Sequence, residues 1–151
     1  MNTKIILSGL VLLASSILHA ETPDLTGTWK TIDDKTGYAR ADVLITQQKN
    51  GTYSGKIVKV HAIPNRPAID HCKKCKGALK NAPLIDLPIL SGFKQNPKNK
   101  DEFIDGHVLD PLSGHVYQSK GRLNARGNVL TLRGFVGTSL LGRTVSWIKV
   151  N

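Results

Sequence analysis

The chain has 151 residues, with 21 Lys plus Arg against 11 Asp plus Glu and 5 His. Its first twenty residues read as a separate unit: Lys4 supplies one positive charge, Ile5–Leu18 is apolar apart from small residues, and Ala20 is a small residue at a cleavable position before Glu21. That is the pattern of a secretory signal peptide, too short for a membrane span of about 20 apolar residues, so the reading sets aside a cytoplasmic enzyme, a multidomain machine and an integral helical membrane protein.

Removal of residues 1–20 leaves residues 21–151 as one domain. Lys4 goes with the leader, so 20 cations face 11 anions, a net of +9. No Cys follows the cut, so no lipid anchor attaches there. The expected location is exported, periplasmic or secreted. A basic exported protein meets lipid headgroups, surface polysaccharide or acidic proteins rather than nucleic acid. The plain alternative is a solvated basic surface.

Residues 21–151 read as all-β. Gly, Pro, Asn and Asp punctuate them at short intervals, and no window sustains a helical period over three turns. Gly27–Ile32 is the first strand, ended by Asp33-Asp-Lys-Thr-Gly37. Ala39–Gln48 is the second, with Val43 and Ile45 on one face and Leu44 on the other. Lys49-Asn50-Gly51 is a hairpin signal, and Thr52–Val60 is the third strand. A three-residue connection with Gly51 left-handed places Val43, Ile45, Tyr53 and Ile57 on one face.

Residues 61–86 break the rhythm with Pro64, Pro67, Pro83, both cysteines and five Lys or Arg. Connections this long are usually functional or pinned by a crosslink. Leu87–Phe93 resumes an apolar strand, and Gln95–Asp101 reads as a polar turn. Phe103–Leu109, Gly114–Leu123, Asn128–Val136 and Arg143–Val150 complete a set of eight. Eight antiparallel strands in an up-and-down order close naturally into a small barrel, which removes exposed edges. A β-sandwich or half-open barrel is the alternative.

Cys72-Lys-Lys-Cys75 is the one reactive-looking motif. Export favours a local disulfide that stiffens the loop. A metal site would need about four ligands, for which His61 and His71 are available. A thiol–disulfide exchanger wants the motif at a helix start, and haem attachment wants His after the second Cys, where Lys76 stands. Hydrolytic arrangements are poor. Asp33, Asp34, Asp101 and Glu102 lie in polar turns, His107 and His115 flank a turn, and Ser139 lacks the nucleophile-elbow spacing. No catalytic residue and no cofactor is assigned, beyond the metal alternative at Cys72 and Cys75.

Two local arrangements carry structural expectations. Trp29 lies in the first strand and Arg143 opens the last, and these strands are neighbours in a closed barrel. The guanidinium is therefore expected across the Trp29 ring as a seal. Asp110 to His115 is expected to form a four-residue loop, Pro111-Leu-Ser-Gly114. Asp110 would sit opposite His115, accepting backbone N–H bonds, and Gly114 would be left-handed. This is either a binding rim or only a well-made turn.

Gly27-Thr-Trp29 with a late Arg resembles the Gly-x-Trp signature of lipocalin and calycin barrels. A longer match runs through Cys72-x-x-Cys75-Lys-Gly77, Gly106-His-Val-Leu-Asp110-Pro-Leu-Ser-Gly114-His-Val-Tyr117 and Arg133-Gly-Phe-Val-Gly137-Thr-Ser-Leu-Leu-Gly142-Arg143-Thr-Val-Ser-Trp147. These blocks resemble the exported bacterial family known as domain of unknown function 2147. Asp86 stands where that family tends to have Gly, and Phe103 where a Trp is common. The resemblance implies a small secreted barrel-like domain and no established activity.

Three function classes follow. The first is a binding module for a small, partly apolar ligand, with Val43, Ile45, Tyr53, Ile57, Ile89, Phe103, Val108, Tyr117, Leu130, Leu132 and Phe135 available to line or fill the barrel, and His107 as a polar candidate. The second is an envelope interaction protein using the apolar turn Val136–Gly142, with Leu140 and Leu141, and the basic loop. The third is a redox or metal protein using Cys72 and Cys75.

Overall fold

The computed structural model describes residues 22–137 and 142–150. Among these lie eight strands: β1 (Gly27–Ile32), β2 (Ala39–Gln47), β3 (Tyr53–Val60), β4 (Pro88–Asn96), β5 (Asn99–Leu109), β6 (Val116–Leu123), β7 (Val129–Phe135) and β8 (Gly142–Lys149). Each pairs antiparallel with its successor, and β8 pairs with β1, so the sheet closes into an up-and-down barrel. The sandwich and half-open alternatives are excluded. No helix among the described residues is long and apolar enough to cross a membrane.

The β2–β3 hairpin follows the sequence pattern. Gln48 and Thr52 close a three-residue connection, with Gly51 at φ 82°. Val43 opposes Ile57 and Ile45 opposes Gly55, so Val43, Ile45, Tyr53 and Ile57 all enter the core. The expected polar turn Gln95–Asp101 is much shorter than the sequence suggested. Asn96 pairs with Asn99, leaving Pro97 and Lys98 as the turn. The neighbouring polar residues extend the ladder because an antiparallel strand keeps its hydrogen bonds while one face meets water.

Halfway along, β4 and β5 bend together. Gly92 and Asp105 both have positive φ, 73° and 61°. The bend lays the Phe93 ring over Gly106, where any Cβ would overlap it. Phe93, Phe103, Trp29 and Leu130 are fully buried, and Tyr53 meets Phe103 edge-on at 5.5 Å. Each such side chain stabilises the fold by about 1.5–3 kcal/mol.

One end of the barrel is sealed by residues 22–26. Leu25 is fully buried and its carbonyl accepts the Trp29 Nε1–H at 2.8 Å. Gln95 donates to the Pro23 carbonyl at 3.2 Å. Lys149, not Arg143, is the cation at Trp29, with Nζ 5.5 Å from the ring centroid. The expected Arg143–Trp29 seal is therefore corrected. Both residues face inward, but Trp29 pairs with Lys149 near the sealed end, while Arg143 pairs with Gly134 near the other.

The 61–87 connection is a packed strap. Cys72 and Cys75 are joined in a disulfide and both are buried. Cys72 N–H donates to the Ala82 carbonyl and Leu84 N–H to the Asp70 carbonyl, each at 2.8 Å. Ile89 and Leu109 lie on the outer face by alternation with Leu90 and Val108, which oppose one another. Both are nonetheless buried, as are Cys72, Cys75, Leu84 and Leu87 of the strap. Ile89 therefore faces outward and does not line the barrel. Asp86 has φ 67°, and its carboxylate meets Lys56 Nζ at 2.5 Å.

Candidate functional site

Side chains facing the barrel interior divide by height. Toward the sealed end, Trp29, Ile45, Tyr53, Phe93, Phe103, Leu123 and Leu130 are all buried. Toward the opposite end, the inward-facing Thr31, Val60, Val108, Tyr117 and Val145 are only half-buried. Their facing follows from register: Thr31 opposes Trp147 and Ala41, Val60 opposes Ala41, Val108 opposes Tyr117, and Val145 opposes Leu132. The inward face is therefore closed toward one end and less buried toward the other, which forms a mouth. Its lining is mostly apolar, and Trp147 and Leu132 are buried beneath it.

Charged groups sit on the rim. Arg143 reaches inward from β8, and its Nε donates to Asp34 Oδ2 at 2.7 Å while a terminal nitrogen donates to Oδ1. This fork joins β8 to the β1–β2 turn. The hydrogen bond from Arg143 holds the Asp34 carboxyl below its ordinary value. The guanidinium pKa is raised, first by that bond and also by the charges of Asp33 and Asp110. Arg40 Nε lies 3.4 Å from Asp33. Burial pushes the Asp33 carboxyl upward, but the Thr36 and Lys35 amides, the Thr36 hydroxyl and Arg40 outweigh it and leave it lowered.

Two mouth turns share one design. In the first, Asp33 N–H donates to the Tyr38 carbonyl and Gly37 N–H to the Asp33 carbonyl; in the second, Asp110 N–H donates to the His115 carbonyl and Gly114 N–H to the Asp110 carbonyl. The Asp carboxylate binds the hydroxyl three residues on, Thr36 in one and Ser113 in the other. Gly37 and Gly114 both have φ 72°. The expected four-residue loop, with Asp110 opposite His115, is as observed. The turn expected at Asp33-Asp-Lys-Thr-Gly37 is its twin, and Asp-x-x-(Ser/Thr)-Gly is the signal that the two segments share.

The structure separates the remaining candidates. Tyr117 lies in the mouth, with His115 beside it at 6.1 Å between ring centroids. Tyr53 and Phe103 are packed in the sealed half. His107 is exposed on the outer face of β5, opposite Gln118. Phe135 also faces outward, because Gly134 and Leu132 face in. The sulfurs of Cys72 and Cys75 are bonded to one another, so neither is a thiolate ligand. His61 is instead held by Asp42 at 2.8 Å and His71 by Asp70 at 2.9 Å. Of the apolar turn Val136–Gly142, Leu140 and Leu141 lie outside the described residues.

Two open clefts mark the outer surface. One, of about 260 Å³, runs beside Leu44, Ser54, Lys56 and Pro88. The other, of about 520 Å³, lies at the sealed end between Pro23, Asp24, Tyr53 and Gln95. Burial, followed by the adjacent Asp24 carboxylate, pushes the Tyr53 phenol up to about 12. Burial acts to raise Asp24 in turn, but hydrogen bonds from Thr26 and Tyr53 and the charge of Lys149 leave it lowered.

Residues 27–149 match the profile of the family described as "Uncharacterized protein conserved in bacteria (DUF2147)". No curated protein matches the chain. Among solved structures, it is similar to protein HP1028 from the human pathogen Helicobacter pylori, which is described as belonging to the lipocalin family. The TM-score is 0.69 at 17% identity, covering 86% of this chain and 85% of that one. At that identity the likeness establishes a lipocalin-like barrel fold.

Proposed function

The chain belongs to the DUF2147 family of uncharacterized bacterial proteins, and from that premise we propose that it is an exported binding protein holding a small, partly apolar ligand in the barrel mouth. The observation that carries this reading is the contrast in burial. Inward-facing side chains are sealed at one end and half-exposed at the other, over apolar walls. Ligand sites are typically concave, mostly apolar and fixed by a few polar groups, and the mouths of β-barrels are a common place for them. Here Val60, Val108 and Val145 supply apolar wall, while Tyr117, Thr31 and the Arg143–Asp34 fork supply polar contacts. The lipocalin-like fold is compatible with such a role. The leader-like residues 1–20 support export, and the disulfide at Cys72 and Cys75 is compatible with it.

The test is native mass spectrometry of protein expressed with residues 1–20, paired with displacement of an apolar fluorescent probe. Wild type is expected to retain a small molecule or bind the probe in the micromolar range. Val108→Trp and Val145→Trp fill the mouth and are expected to abolish both signals while the circular dichroism spectrum is kept. A wild-type protein that binds nothing, or Trp variants that bind as wild type does, overturns the reading.

A further inference from the structure

Turn residues are ordinarily polar, and the sealed end follows that rule with Lys49-Asn50-Gly51, Pro97-Lys98 and Asn124–Asn128. The mouth end does not. All four connections there carry an exposed large apolar side chain. Tyr38 is on the β1–β2 turn, Ile69 on the strap between β3 and β4, Leu112 on the β5–β6 turn and Val136 just after β7, and their exposures run from 39% to 67%. Single exposed apolar residues are commonplace and need no explanation. One on every loop around a single opening does.

Charge stands beside them. Lys73 and Lys74 are exposed within the disulfide-closed turn; among the described residues neither is within salt-bridge distance of a carboxylate, though the charge of Lys73 acts on Asp70. Their position relative to Leu112 is fixed. Cys72 Sγ lies 3.4 Å from the Pro111 carbonyl, and Gly114 abuts the Lys74 backbone. The lysines and the apolar tip of the next hairpin are thus held side by side.

We propose that the mouth end docks face-down on an anionic lipid bilayer. Tyr38, Ile69, Leu112 and Val136 enter the interfacial layer, and Lys73 and Lys74 meet the phosphate headgroups. Basic side chains near an anionic surface and apolar side chains at the acyl boundary act together in this kind of binding. A soluble polyanion would satisfy the lysines but leave the apolar ring in water, which is why a lipid surface is the partner the geometry favours. The docked orientation turns the mouth toward the bilayer, but docking does not depend on the mouth holding a ligand.

The experiment is co-sedimentation of the purified chain with vesicles of phosphatidylcholine, with and without phosphatidylglycerol. Binding is expected on the anionic vesicles, roughly tenfold weaker or more on the neutral ones, and falling as salt is raised. K73Q/K74Q is expected to lose roughly tenfold on anionic vesicles, and L112D/V136D about fivefold or more. K98Q/K100Q, at the sealed end, is expected to bind as wild type does. Absence of binding to anionic vesicles overturns the proposal, as does an equal loss in K98Q/K100Q. If L112D/V136D binds normally and dextran sulfate competes, the site is one for soluble polyanions and the lipid assignment falls. Probe binding in vesicle-free solution on the same variants keeps this outcome separate from failure of the ligand site.

Discussion

Gly114 rests against the backbone of Lys74: a Cβ built on Gly114 would overlap the Lys74 carbonyl and lie 2.9 Å from the Cys75 nitrogen. The β5–β6 turn and the disulfide turn, forty residues apart at Gly114 and Lys74, are therefore in backbone contact. Gly114 also has φ 72°. Gly114→Ala is expected to destabilise the protein by more than about 2 kcal/mol, since the left-handed backbone alone costs about 1–2 kcal/mol with a side chain. Gly127 has a similar φ of 67° with open space around it. Gly127→Ala should therefore show only the backbone cost, about 1 kcal/mol. Urea unfolding of the two variants in parallel checks the difference.

Removing the disulfide should loosen the strap without opening the barrel. The ring between Cys72 and Cys75 is small, so it constrains the unfolded chain little, and the double Cys→Ala variant is expected to lose about 2 kcal/mol. Far-UV circular dichroism should be unchanged. Amide exchange should rise at Cys72, Asn81 and Leu84, whose N–H groups bond within the strap or to its neighbours. Global unfolding on reduction would mean that the burial of Ile89, Leu109 and Leu84 is needed to keep β4 and β5 in place.

Stability should fall at both extremes of pH. Asp24, Asp33, Asp34 and Asp70 all have carboxyl pKa values lowered from 3.8. A depressed carboxyl contributes stability that is full above the unfolded value and is lost as pH falls through the folded one. Acid unfolding should therefore begin below about pH 4. Tyr53 moves the other way, from 10.0 to about 12. Between those values the unfolded chain loses a proton that the folded one keeps, so stability declines as pH rises. Ultraviolet titration should show an ionisation at about pH 12 that Tyr53→Phe removes, together with its share of the alkaline loss.

The two inward cations should behave differently. Lys149 lies over Trp29 and its side chain also crowds Gly27, so Lys149→Ala is expected to cost about 0.5–1 kcal/mol. Arg143 makes an exposed pair with Asp34, and such pairs contribute little. Arg143→Lys should leave the denaturation midpoint where it is, while weakening probe binding at the mouth. Trp29→Phe should be the costliest of these changes, at about 2–4 kcal/mol, because it removes ring volume and strands the Leu25 carbonyl beneath the seal.

The sequence carried parity well and height poorly. Alternation around Val43, Ile45 and Ile57 identified the inner face of two strands, and Gly51 fixed their register. The same parity put Trp29 and Arg143 inside the barrel. Whether two inward residues meet depends on the stagger between strands, which is a property of the whole closed sheet, and here it brought Lys149 to Trp29. Height also decides the site. Phe103 and Tyr117 look alike as inward aromatics, yet one is buried and the other stands in the opening, because the seal by Leu25 lies at one end only. Polar segments misled in a simpler way: Gln95–Asp101 reads as turn, but most of it is solvent-facing ladder.

The Trp29–Lys149 pairing has a further consequence. In a ring of antiparallel neighbours there is no first strand; the order is cyclic, and the covalent break between β8 and β1 is one gap among eight. Val150 N–H donates to the Thr28 carbonyl, so the two ends of the sheet already run side by side. A chain rewired to join them through a short linker, and opened instead within Lys49-Asn50-Gly51, would retain every strand pairing and both faces of every strand. The architecture is thus indifferent to where synthesis starts, provided the strap and the mouth turns stay whole.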